Sequence, residues 1–301
     1  SSLFVQDTSY FSLQPRLALN YRLPGGIALK LSYAEMAQFV NLLTNEGVGL
    51  PTDLWVPSTK NVTPQTSKQI AAGVAKTFGD IEVSLEGYYK SMDGLLSYKE
   101  GASFMFDFES DWESKVTQGI GNSYGGELLI QKKKGKTTGW IGYTLSWSNR
   151  QFDDINSGNW YPFTYDRRHD VSFVLNQEIN DEWSGSFVWV YGTGRALTLS
   201  ESTFTSYLPD GSGNGFDVLT ASVPSEKNSF RMSPYNRADI SLTRTRPAQF
   251  GEKYLIFSVY NLYNNVNPFF AEVDYDDDGT PVIREYGIFP IIPSVAWRYK
   301  F

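Results

Sequence analysis

Pro293-Ser294-Val295-Ala296-Trp297-Arg298-Tyr299-Lys300-Phe301 closes the sequence, and its alternation decides the fold. Side chains of an extended strand point to opposite faces with period two, so Val295, Trp297, Tyr299 and Phe301 share one face while Ser294, Ala296, Arg298 and Lys300 share the other. One face suits hydrocarbon and the other suits water. A soluble sandwich also alternates, but it would have to bury this aromatic ladder together with the carboxylate of Phe301. A transmembrane β-barrel leaves the ladder at the lipid boundary, where aromatic girdles sit.

The same alternation recurs upstream. Strands are predicted near 10–23, 27–40, 67–78, 81–95, 122–133, 138–150, 167–179, 182–193, 235–246, 253–263 and 287–301. Their apolar faces read Leu17, Leu19, Tyr21; Ile27, Leu29, Leu31, Tyr33; Ile81, Val83, Leu85, Tyr89; Val171, Phe173, Leu175; and Trp183, Phe187, Trp189, Tyr191. Between these lie Arg16, Asn20, Arg22, Lys30, Glu82, Glu86, Lys90, Glu127 and Asp239, the face expected to meet the lumen. No stretch approaches the roughly 18 apolar residues of a spanning helix. The mean hydropathy of -0.33 carries no weight against a membrane protein, because alternating strands hide their lipid face from any average. The net charge of -7 disfavours nucleic acid, and the Lys132-Lys133-Lys134 run falls at a predicted turn. With no cysteine, disulfide scaffolds and thiolate metal sites are excluded.

Connections alternate between short and long. Pro24-Gly25-Gly26, Gly79-Asp80, Gly135-Lys136, Asn180-Asp181 and the segment from Pro247 to Glu252 are turn formers. The long connections cover about 41–66, 96–121, 151–166, 194–234 and 264–286. Outer-membrane barrels place short turns in the periplasm and long loops outside, so the last strand is expected to run inward and leave Phe301 in the periplasm. Complete bacterial barrels have even strand numbers. The expected fold is therefore all-β, a transmembrane antiparallel β-barrel, with residues 1–301 supplying about eleven C-terminal strands of a 22-stranded whole.

Several segments carry a family resemblance: Phe163-Thr164-Tyr165-Asp166-Arg167-Arg168-His169-Asp170-Val171, Tyr191-Gly192-Thr193-Gly194, Tyr235-Asn236-Arg237-Ala238-Asp239, Val259-Tyr260-Asn261-Leu262-Tyr263-Asn264, Asn267-Pro268-Phe269-Phe270 and Phe289-Pro290-Ile291-Ile292-Pro293-Ser294. In this order they resemble the C-terminal barrel of TonB-dependent outer-membrane receptors, and more closely the class carrying a carboxypeptidase-regulatory-like domain ahead of the plug. The resemblance implies energy-coupled import of a scarce nutrient. It implies as partners a plug domain and the remaining strands of the same receptor, and the TonB complex acting through the N-terminal part. It leaves room for a surface lipoprotein. Neither a plug nor a TonB box is found in residues 1–301. The terminal strand also resembles the signal read by the barrel-assembly machinery, which would assign that role to Trp297, Tyr299 and Phe301.

Three features bear on chemistry. His169, the sole histidine, stands between Arg168 and Asp170, but adjacent strand residues face opposite ways and form no catalytic dyad. Asp274, Asp276, Asp278, Gly279 and Glu285 fit the calcium-loop spacing, which makes calcium the one cofactor to test. The flanking segments, however, read as strands rather than helices, which favours an exposed hairpin. Aromatics in the long connections, Trp55, Phe104, Phe106, Phe108, Trp112, Trp160, Tyr161 and Phe163, suit either ligand stacking or packing of the loops. Trp55, Phe106, Trp112, Trp160 and Tyr161 are the ligand-contact candidates. A passive porin is the main alternative, and an outer-membrane enzyme, lacking a clustered nucleophile and base, comes last.

Overall fold

The computed structural model describes all residues except 1, 6–7, 44–53, 101–110, 210–215, 225 and 279. Eleven strands form the main path of one sheet: β1 (Arg16–Leu23), β2 (Ile27–Gln38), β3 (Gln65–Phe78), β4 (Ile81–Tyr98), β5 (Val116–Lys132), β6 (Thr137–Gln151), β7 (His169–Glu178), β8 (Trp183–Gly192), β9 (Tyr235–Ala248), β10 (Gly251–Tyr260) and β11 (Ile292–Lys300). Each is antiparallel to its neighbour in sequence, and β1 and β11 are the edges of the sheet. The short turns fall where Gly supplies left-handed backbone, at Gly25 (φ 81°) and Gly26 (φ 77°) and at Gly79 (φ 59°).

Register converts the sequence alternation into two continuous faces. Leu19 pairs with Leu31, Leu29 with Val74 and Val74 with Leu85. Farther on, Phe173 pairs with Trp189, Leu242 with Phe257 and Phe257 with Val295. A direct row, Tyr33, Ile70, Tyr89, Tyr124 and Trp147, crosses five strands. In it the Tyr124 and Trp147 rings stack at 5.2 Å. Leu17 and Trp297 keep 68% and 71% of their surface exposed, and so contiguous an apolar face marks contact with lipid or another apolar surface.

Two strand boundaries differ from expectation. The first strand was predicted from residue 10 but begins at Arg16, because Pro15 offers no N–H and Thr8–Phe11 pairs instead with Ser2–Val5. The last was predicted from residue 287 but begins at Ile292, since Pro281–Gly287 pairs with Pro268–Tyr275 in a separate hairpin. Two further hairpins stand in long connections, Val40–Leu43 with Leu54–Pro57 and Ser200–Pro209 with Phe216–Pro224. Among the described residues two buried apolar clusters lie in this crown of connections, at the strand ends away from the short turns.

Candidate functional site

The crown is built on two apolar clusters. In the first, Leu43, Val56 and Val62 of the 39–64 connection pack on Leu96 and Tyr98 of β4 and Val116 of β5, with Trp112 against them. Trp112 opens a short 3₁₀ turn, Trp112–Lys115, capped by Asp111. In the second, Phe152, Ile155 and Tyr161 pack on Leu95. Tyr161 is 3% exposed and stacks on Phe152 at 6.3 Å. Tyr161 thus packs the root of the 152–168 connection, and Trp112 lies partly buried against the first cluster. Trp55 and Trp160 keep open faces at 64% and 46% exposure. Phe106 lies outside the described residues.

The segments that carried the resemblance turn out to be clamps at the strand-to-loop junctions. Asp166, 2% exposed, accepts from Ser148 N at 2.7 Å and pairs with Arg231, while Arg168 stands 3.6 Å away and lies 4.3 Å over Trp147. Thr193 Oγ1 accepts from the N–H groups of Arg168 and His169 at 2.8 and 3.1 Å. Gly194 is required beside it, since a Cβ there would sit 1.6 Å from the Met232 carbonyl oxygen. A second clamp is made of asparagines. Asn261, fully buried with φ 53°, donates through Nδ2 to the carbonyls of Asn265 (2.9 Å) and Phe289 (3.0 Å), and its own N–H donates to Asp239 Oδ1 (2.9 Å). Asn tolerates the left-handed region better than most residues, which explains the residue type. Asn236 N donates to Asn267 Oδ1 at 2.7 Å, joining β9 to the 261–291 connection.

The acidic hairpin does not assemble the calcium-loop ligand set. Asp274 pairs in register with Val282 and Glu285 with Ala271, which puts the two carboxylates on opposite faces. Asp274 meets Arg284 at 3.0 Å, Glu285 accepts from Ser233 N at 2.7 Å, and Asp276 Oδ1 accepts from the N–H groups of Asp278 and Thr280. Among the described residues no group of three His, Cys, Asp or Glu is placed to hold a metal.

On the polar face of the sheet, Glu86 and Glu127 stand directly opposite each other, and among the described residues neither has a cationic partner. Glu82, by contrast, pairs with Lys133 at 2.8 Å, and Asp239 with Arg237 at 3.1 Å. Toward the crown a recess of about 390 Å³ is lined by Arg16, Met36, Gln38, Gln65, Ser67 and Lys90. His169 faces outward, pairs with Leu145 and lies 2.9 Å from the Tyr143 hydroxyl, while Asp170 meets Arg167 at 3.7 Å. The Glu86 juxtaposition and the two clamps were invisible in the sequence, because each depends on register or on a loop returning to a distant strand.

Two solved structures share this arrangement. The FrpB iron transporter of Neisseria meningitidis superposes with a TM-score of 0.54 at 10% identity, over 96% of this chain and 38% of that one. FpvA of P. aeruginosa, bound to heterologous pyoverdines, gives 0.53 at 10% identity, over 96% of this chain and 33% of that one. The sheet has the fold of a β-barrel wall. This chain thus spans about a third of the length of the two structures, and as an open eleven-stranded sheet it matches part of the wall. No protein-family model matches the chain, and no curated relative is found for it.

Proposed function

We propose that this chain supplies part of the wall and the external loops of an outer-membrane receptor that imports a scarce nutrient in a TonB-dependent manner. The observation that carries the reading is the Glu86–Glu127 pair on the polar face. Like charges directly opposite each other on a sheet destabilise it. A cationic group brought from inside the barrel, as a plug domain would do, relieves that repulsion. The apolar outer face, the fold shared with an iron transporter and a pyoverdine-bound protein, and the ordered motifs support the same reading. They also make iron chelates the first ligands to try. Trp55 and Trp160 are the side chains of the crown offered to such a ligand, and Trp297, Tyr299 and Phe301 the strand offered to the assembly machinery.

The test is uptake of a labelled ferric chelate by cells carrying the full-length receptor, with and without the TonB complex. Uptake that stops without TonB supports the reading. Uptake that continues and scales linearly with external concentration assigns a passive porin instead.

A further inference from the structure

Near the Gln249-Phe250 turn, the outward face changes character within one step of the strand. The row Trp183, Arg244, Leu255 and Trp297 is still largely apolar, with the Arg244 guanidinium 5.4 Å over the Trp183 ring. The next outward row, two residues or about 7 Å further along, is Arg246, Lys253 and Tyr299. Arg246 and Lys253 are direct cross-strand partners and both exposed. Two cations so placed repel each other unless an anion lies between them.

The protein supplies too little of that anion. Among the described side chains Glu182 is the carboxylate paired with cations of this patch, and it is shared by Arg244 at 2.9 Å and Arg246 at 3.5 Å. Lys253 has no ion-pair partner among the described residues. Glu252 points to the other face, where it accepts from the Tyr254 hydroxyl. The Tyr299 hydroxyl is already committed to the Phe250 carbonyl at 2.9 Å, which fixes the ring beside Lys253. Phe250 is 72% exposed at the tip of the turn.

We infer that Arg246 and Lys253 bind the phosphate of an anionic phospholipid in the leaflet on the short-turn side. The inference rests on the membrane reading above. The band of Leu242, Phe257 and Val295 fixes the hydrocarbon depth, and the cation pair stands just beyond it, at the level where lipid phosphates lie. Acyl chains would run over the Trp297 and Leu255 row, and the headgroup phosphate would neutralise the pair.

The experiment uses the full-length receptor, extracted from outer membranes into a neutral detergent and titrated with short-chain phosphatidylglycerol and, separately, phosphatidylcholine. The wild type should bind phosphatidylglycerol more tightly. Arg246→Gln/Lys253→Gln should weaken that binding roughly 25-fold, as expected for two membrane-surface charges, with phosphatidylcholine unchanged. Glu182→Gln, which removes the competing carboxylate, should tighten phosphatidylglycerol binding, an effect that a merely structural role for the arginines would not produce. Equal binding of the two lipids by the wild type, an unchanged double variant, or unchanged or weaker binding by Glu182→Gln overturns the inference. Displacement of the lipid by millimolar inorganic phosphate would assign a free-anion site and overturn it as well. Failure of the membrane reading shows earlier and separately, as receptor recovered without detergent in the soluble fraction.

Discussion

Trp160 and Tyr161 are neighbours in sequence with opposite surroundings, and that contrast is open to direct measurement. Tyr161→Ala opens a cavity in the Leu95, Phe152 and Ile155 cluster and should cost the crown about 3 kcal/mol, read as faster proteolysis of the 152–168 connection. Trp160→Ala should leave proteolysis unchanged and lower ligand affinity alone. Asp166→Asn tests the clamp. It leaves Arg231 without its charge partner, so the junction should lose about 3 kcal/mol, and hydrogen exchange should rise at the amide of Ser148. Such roles were hard to read from sequence. An aromatic in a long polar connection looks the same whether it faces solvent or a cluster, and Asp166 meets Arg231 only after the 193–234 connection has returned to β7. The outward residues of the strands were legible, because period two needs no knowledge of the partner strand.

At the scale of the element, the β7–β8 turn carries a pH-sensitive contact. The hydrogen bond from Arg244 holds the Glu182 carboxyl below its usual range, with Arg246 adding to it. Because the folded value is lowered, the contribution is present above the ordinary carboxylate pKa and is lost as pH falls through the lowered value. The full-length protein should thus lose thermal stability more steeply on acidification than Glu182→Gln does, and the two melting curves should converge at the acid end. The last strand offers a second test. Phe301→Ser should reduce outer-membrane levels more than Lys300→Ser, because the ring at 301 continues the outward face of Trp297 and Tyr299 and Lys300 faces the lumen. Equal levels in fractionated membranes would remove the assembly role. The start of β11 was misplaced for a physical reason. Ile288 to Ile292 continues an apolar pattern, but Pro290 has no N–H to donate, the Phe289 carbonyl accepts from Asn261, and Ile291 N donates to Asn264 Oδ1. Side chains of asparagine there take the bonds that a ladder would have used, a substitution that periodicity does not reveal.

For the whole molecule, the alternation of turn and connection makes a topological forecast. A protease added to intact cells should cut within 41–66 or 194–234 and spare Gly79 and Gly135, and cleavage at Gly79 in sealed cells would reverse the orientation. The architecture was legible at this scale because eleven strands repeat one rule, whereas the crown obeys a different rule at each junction.

Because every strand on the main path of the sheet pairs with its neighbour in sequence, the register of the wall does not depend on the length of any connection. Lengthening a connection leaves each register untouched and adds only closure entropy, about 0.6 kcal/mol for each doubling of a flexible loop. The clamps at Asp166 and Asn261 hold the roots of these loops rather than their tips. Loop tips can therefore lengthen or change without disturbing any strand register, provided that the segments packed on Leu95, Leu96, Tyr98 and Val116 are kept.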